Sequence, residues 1–347
     1  MIIFLCDASS FVGFGHLNRS LVLARALHFL GESCIMVGPH EKYFQQSDRA
    51  VFQDWIGLDH MELFFESPHM LVKIANQHAS NLLVLDDYRV DENFQKALKE
   101  KGLHYLLFDN GGRDSIYADI VVNVNPRASE SHYGYKLKTQ ESHLLLGLEY
   151  SILRSEFLTI LKTYKNPKTR VLITLGGGDD RGAMLFTLRT LSKAKDIEFL
   201  VVLGRDNPNI LEVKQWILDT DLSNIVLEVD SSSIAELFAS CDLAITSGGT
   251  TVHELASIGL PMMVIAIAEN QIQHANDWEK SVDFIKFIGS FVDLCPEDLT
   301  NAFEEFLSGP ERSCAKSVID GFGSIRVASE LVKIRKKYEK YISIESC

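Results

Sequence analysis

The sequence predicts an α/β protein built from two doubly wound domains that face each other across a cleft. Three observations carry this expectation. Short apolar runs alternate with helix-forming stretches along the chain, and the alternation restarts after a polar, proline-containing segment near residue 165. Glycine-rich or acidic segments follow the apolar runs, which is where open parallel sheets place their ligands. With 347 residues, 46% hydrophobic and 23% charged, the chain can bury two cores of ordinary size.

Residues 2 to 6 read as the first strand, and Leu17 to Leu30 as a helix with an apolar stripe. Gly31 stops that helix, a second strand runs from about Ser33 to Val37, and Pro39 closes it. Asn81 to Leu85 and His104 to Phe108 are apolar runs that end in acid, and Asp119 to Val124 is a further short strand. The pattern weakens between residues 150 and 168, where Lys165-Asn166-Pro167-Lys168 has linker character. A second series follows: Arg170 to Leu175, Glu198 to Leu203, Asn224 to Val229, Cys241 to Thr246 and Met262 to Ile267. The expected domains are therefore 1–160 and 161–347, with a return of the last helix to the first domain left open. On that helix, the basic run Lys333-Ile334-Arg335-Lys336-Lys337 reads as a solvated face.

Composition excludes several functions. A formal charge of −13 repels a nucleic-acid backbone, while an anionic small ligand needs only a local positive field. The six cysteines, at 6, 34, 241, 295, 314 and 347, lack paired spacing and read as reduced thiols. The N-terminal apolar run is too short for a signal peptide or membrane span, so the expected location is cytoplasmic. No cluster of His, Cys or carboxylates has ligand spacing, so the expected chemistry is metal-independent and uses no cofactor.

The segment Ser247-Gly248-Gly249-Thr250-Thr251-Val252-His253-Glu254 joins small residues at a helix start to a carboxylate one turn later. Gly248 and Gly249 would admit phosphates to free N–H groups, and Glu254 would reach a ribose diol; a capped helix after a buried strand uses the same residue types. Gly13-Phe14-Gly15-His16 lies between the first strand and the first helix. An imidazole there can take a proton from water near neutral pH, or serve only as a hydrogen-bonding group. Arg19, one turn later, offers positive charge or an ordinary surface ion pair. Asp86, Asp87 and Tyr88 can hold a sugar hydroxyl, orient His16, or cap a strand end, and Asp109 carries the same readings. Gly176-Gly177-Gly178-Asp179 can bring N–H groups to a diphosphate or form a tight turn. Ala268-Glu269-Asn270-Gln271 can offer an amide to a sugar or to attacking water.

Taken together these segments resemble the UDP-sugar hydrolases of pseudaminic acid biosynthesis, the PseG and SpsG group, relatives of the MurG-type glycosyltransferases with the GT-B fold. The opening Asp7-Ala8-Ser9-Ser10 with Gly13-Phe14-Gly15-His16 and Arg19, then Asp86-Asp87-Tyr88-Arg89-Val90-Asp91, match in order. They are followed by Tyr150-Ser151-Ile152-Leu153-Arg154-Ser155-Glu156-Phe157, the glycine runs at 176 and 248, Gly259-Leu260-Pro261, and Ala268 to Gln271. The resemblance implies a GT-B fold and hydrolysis of UDP-2,4-diacetamido-2,4,6-trideoxy-β-L-altropyranose to UDP and free sugar. It implies His16 as general base, Tyr88 beside the sugar and Asn270 as the catalytic amide. Gly15, Arg19 and Asp86 would contact substrate from the first half. Gly177, Gly178, Gly248, Gly249, Thr250, Glu254 and Gln271 would do so from the second. Asp109-Asn110 and Asp180-Arg181 depart from the family wording, and the segment from Ser247 to Glu254 is closer to the MurG type. The alternatives are a GT-B glycosyltransferase that transfers sugar from a UDP donor to an acceptor hydroxyl, and an inactive sugar-nucleotide binding subunit.

Overall fold

Fully buried parallel strands must find partners for both faces, and this chain satisfies that need twice. The computed structural model describes residues 1–345 apart from 44–45, 60–63, 66–67, 140, 161–167 and 310–315; Lys165, Asn166 and Pro167 of the expected linker lie outside the described residues. The chain divides into two compact units. The first is Met1–Ala8, His16–Leu153 and Gly321–Cys347; the second is Ser9–Gly15 and Arg154–Asp320.

The first unit holds a seven-stranded parallel sheet of β1 (Ile2–Cys6), β2 (Cys34–Gly38), β3 (Phe52–Gly57), β4 (Leu82–Asp86), β5 (His104–Phe108), β6 (Ile120–Asn123) and β7 (His143–Leu146). Its order is β3-β2-β1-β4-β5-β6-β7. The helices of this unit are α1 (Gly15–Phe29), α2 (His69–Gln77) and α3 (Glu92–Glu100). Asp91 caps α3 by accepting from Phe94 N at 2.7 Å, which satisfies one of the free first-turn donors. The second unit holds a six-stranded parallel sheet of β8 (Thr169–Thr174), β9 (Ile197–Leu203), β10 (Ile225–Val229), β11 (Leu243–Ser247), β12 (Met262–Ala266) and β13 (Ile285–Ser290). Its order, β10-β9-β8-β11-β12-β13, repeats that of the first sheet without the extra edge strand. Its helices are α4 (Ala183–Leu191), α5 (Ile210–Thr220), α6 (Ile234–Ala239), α7 (Thr251–Ser257), α8 (Ile272–Glu279) and α9 (Pro296–Ser308).

Each unit has its own apolar core. In the first, Ile3, Leu5, Leu83, Leu85 and Leu107 pack with Leu71, Phe94 and Leu98 of the helices. In the second, Val171, Ile173, Val201, Ile245 and Met263 pack with Leu188, Val213 and Phe303. The last helix, α10 (Gly323–Glu345), belongs to the first unit. Its basic run is not simply a solvated face. Ile334 is buried, Arg335 pairs with the buried Glu32, and Tyr338 stacks on His104 while donating to Asp119 at 3.0 Å. Among the described residues no helix is long and apolar enough to cross a membrane.

Ile245 is fully buried in β11, in register with Ile173 on one side and Met263 on the other. Ile245→Ala should cost about 2–5 kcal/mol through lost burial and a residual cavity. Urea unfolding monitored by circular dichroism measures this, and an unchanged midpoint would contradict the packing described.

Candidate active site

In a doubly wound sheet the strand order reverses at one point, and the loops there diverge to opposite faces, which opens a crevice at the strands' carboxyl ends. In the first unit that point lies between β1 and β4, whose last residues Cys6 and Asp86 are direct neighbours. Helix α1 begins just beyond β1, so His16 and Arg19, three residues apart, share one face of its first turn. Both turn to Asp86. His16 Nδ1 lies 2.7 Å from Asp86 Oδ1, and Arg19 donates from Nε to Oδ2 at 2.8 Å and from Nη2 to Oδ1 at 2.6 Å.

The charge state of Asp86 follows from this geometry. Burial raises its pKa, but Arg19 and His16 outweigh that penalty and hold it well below the usual carboxylate range. Burial likewise works against the Arg19 charge, and Asp86 outweighs it, so the guanidinium stays protonated. An ionised carboxylate only accepts hydrogen bonds, so the hydrogen of the neutral His16 ring sits on Nδ1 and its Nε2 carries the lone pair. Tyr88, more than half exposed, meets the His16 ring edge to face at 5.1 Å. Arg19 therefore makes a shielded ion pair, stacked 4.4 Å above the Phe108 ring, where the sequence left open a surface pair or a free charge. Cys6 is no nucleophile, because burial first, and the Asp86 charge second, push its thiol up.

The neighbouring acids are occupied by the scaffold. Arg89 bridges Asp87 and Asp7, with contacts of 2.6 and 2.7 Å. Asp109 accepts from Arg113 at 2.8 Å, Tyr133 Oη at 2.9 Å and Gly111 N at 2.7 Å, so its structural reading prevails.

In the second unit the order reverses between β8 and β11, and both glycine loops emerge there. The loop Ser9–Gly15 packs with this unit. Asp179 N donates to Ser10 O at 2.7 Å, and a Cβ at Gly178 would lie 2.4 Å from that same oxygen, so only glycine fits. Gly177 faces Phe14, and Gly15 faces the Thr250 side chain, where a Cβ would come within 3.1 Å of Oγ1. These glycines thus serve close packing.

The turn after β11 departs from expectation in one respect. The Gly248 N–H is not free, since it donates to Gln271 Oε1 at 3.2 Å, an oxygen that also accepts from Ile267 N at 3.0 Å. A Cβ at Gly248 would fall 2.9 Å from Gln271 Cβ, which explains the glycine. Gly249, half-buried, and Thr250, exposed, keep N–H groups that make no hydrogen bond among the described residues. Helix α7 has only seven residues, so direct N–H donation matters more here than a macrodipole. Gln271 thus binds backbone, while Asn270 is exposed in the short turn after β12.

Glu254 lies in the first turn of α7, and Arg154 grips it in a two-point pair, Nε to Oε1 at 2.6 Å and Nη2 to Oε2 at 2.9 Å. Burial raises the Glu254 pKa, and Arg154 only partly offsets it. Arg154 has no local spacing signal, being 100 residues from its partner. His274 is likewise missed by sequence: its Nδ1 lies 3.0 Å from Gly248 O, and Trp278 Nε1 donates to its Nε2 at 3.1 Å. Among the described residues no group of three or more His, Cys, Asp or Glu is placed to hold a metal ion.

No family model matches the chain. It is 27% identical over 271 residues to the UDP-2,4-diacetamido-2,4,6-trideoxy-β-L-altropyranose hydrolase of Campylobacter jejuni, covering 78% of this chain and 93% of that protein. It is 23% identical over 269 residues to the spore coat polysaccharide biosynthesis protein SpsG of Bacillus subtilis, covering 75% of each. The crystal structure of Acinetobacter baumannii MurG superposes with a TM-score of 0.64 at 13% identity, over 96% of this chain and 99% of that one. The PseG and SpsG group named by the sequence motifs is thus the one the chain is similar to, and the fold is α/β of the GT-B kind.

Asp86→Asn leaves the shielded Arg19 without its counter-charge and should cost about 3–5 kcal/mol. Because the folded pKa of Asp86 is lowered beneath the roughly 3.9 of an unfolded aspartate, the pair's contribution is complete above that value. It is lost as pH falls through the folded value. The variant's urea midpoint should therefore vary less than wild type between about pH 6 and pH 2, and an identical acid limb in both proteins would refute the assignment.

Proposed function

We propose that this chain is a UDP-sugar hydrolase that converts a UDP-linked diacetamido-trideoxy hexose to UDP and free sugar, in nonulosonate biosynthesis of the pseudaminic acid type. The observation that carries the reading is the His16–Asp86 hydrogen bond at the strand-order reversal of the first unit, which in the neutral ring puts the hydrogen on Nδ1 and the lone pair on Nε2. The name of the Campylobacter jejuni relative supplies the substrate class.

In this mechanism His16 Nε2 takes a proton from water as the water oxygen bonds to the anomeric carbon. The bond from that carbon to the diphosphate oxygen breaks, and UDP leaves with the electron pair. Asp86 holds the imidazole in the correct tautomer and stabilises the imidazolium that forms. Tyr88 lies beside the sugar and limits how the ring can sit against His16. The Gly249 and Thr250 amides donate to the diphosphate, where charge grows as the bond breaks. Each Glu254 oxygen accepts one bond from Arg154 and keeps a lone pair for a ribose hydroxyl, while the Arg154 charge partly offsets the burial of the carboxylate. Asn270 offers an amide to the sugar. All of these roles use the chain's own side chains and amides.

His16→Asn should bind UDP as wild type does and lose roughly a hundred- to ten-thousandfold in kcat, the range for a general base. Near-normal kcat would remove His16 from the chemistry. Glu254→Ala should do the reverse, weakening UDP binding in calorimetry while leaving the fold intact, and an unchanged Kd would refute the ribose contact. With water as acceptor, UDP release should be fast, insensitive to EDTA and unaffected by added alcohols. Release that needs an acceptor hydroxyl would mark a glycosyltransferase instead.

A further inference from the structure

We propose that His274 is a positioning residue for the nucleotide, because it sets the direction in which the Gly249 N–H points. This inference rests on the reading that the Gly248–Thr250 turn holds the diphosphate of UDP. Trp278 Nε1 donates to His274 Nε2 at 3.1 Å. An indole nitrogen can only donate, so Nε2 is unprotonated and the ring hydrogen is on Nδ1. That hydrogen is donated to Gly248 O at 3.0 Å, and the chain of bonds runs one way only, from Trp278 through His274 to the turn.

The consequence follows from peptide geometry. A peptide unit is planar and trans, so the Gly248 C=O and the Gly249 N–H point in opposite directions. Tying the oxygen to His274 aims the Gly249 hydrogen away from α8. The preceding peptide unit is tied separately, by Gly248 N donating to Gln271 Oε1 at 3.2 Å. Two successive glycines have more backbone freedom than any other pair, so without these ties the donor would sample many directions. The imidazole plane is itself held: the His253 ring lies nearly parallel to it at 5.4 Å, and the Trp278 ring stands edge-on at 6.2 Å. Trp278 is fully buried at the base of the set. A donor already aimed loses less freedom when the ligand arrives, which is the source of the affinity claimed here.

The test measures UDP binding by calorimetry, kcat and KM by UDP release, and the His274 tautomer by NMR of nitrogen-labelled histidine. His274→Phe removes the donor and retains bulk. It should weaken UDP roughly three- to tenfold, the value of one lost hydrogen bond, and raise KM more than it lowers kcat. His274→Asn, whose amide nitrogen lies near the place of Nδ1, should recover most of the affinity. Wild-type spectra should show a neutral ring protonated on Nδ1, the hydrogen that the Gly248 carbonyl accepts. Should the phenylalanine variant fail to fold, the wild-type tautomer and the asparagine variant still decide. Wild-type UDP affinity in His274→Phe, a ring protonated on Nε2, or an asparagine variant that binds UDP no better than His274→Phe would each overturn the inference. Failure of the wild-type protein to bind UDP would instead overturn the function proposed above, and this inference with it.

Discussion

The reversal of strand order in each parallel sheet is the constraint on which the candidate chemistry depends. Helices must cover both faces of a sheet whose central strands are buried, so the chain winds first to one side and then to the other. Where the winding changes side, between β1 and β4 and again between β8 and β11, adjacent loops part and leave backbone and side-chain groups unopposed. His16, Arg19, Asp86 and Tyr88 gather at the first of these points. The glycine loops at 176 and 248 gather at the second. The same topology built twice thus places two different sets of groups, one acid–base and one made largely of amides.

Within each set, one polar group is held in direction by a buried or half-buried partner. Asp86 spends its two oxygens on Arg19 and His16, and the guanidinium is the reason a buried carboxylate stays ionised and can orient an imidazole. In the second unit Arg154 fixes the direction of Glu254 in the same two-point way, but there burial outweighs it and the pKa rises. The Gly248 turn is held in turn by Gln271 and His274, whose bonds go to backbone. Polar groups in such surroundings are costly unless satisfied, and satisfying them is what makes their directions definite.

Most of the fold was legible, and the strands that were not share one property. Phe52–Gly57, His143–Leu146 and Ile285–Ser290 are all edge strands. One flank of each lacks a partner, and β3 carries exposed Gln53 and Asp54, so none reads as a continuous apolar run. The central strands, buried on both faces, show three to five apolar residues in succession, which the sequence pattern detects. The basic run on α10 was misread for a related reason. Arg335 and Tyr338 acquire their partners Glu32 and Asp119 from residues some 300 and 219 positions away, and local pattern is blind to such pairs.

What the sequence determined by itself was local: apolar runs set the strands, glycines set the tight turns, and the order of His16, Tyr88, the glycine runs and Glu254 carried the resemblance. Tertiary structure alone decided which acid pairs with His16, that Asp109 belongs to the scaffold, that Gly248 N–H is already taken, that Arg154 pairs with Glu254, and that His274 reaches Gly248 O. The physical reason is range. Backbone preference and burial act over a few residues and are written in composition, whereas a hydrogen bond or an ion pair depends on distances of about 3 Å between residues that only the folded chain brings together.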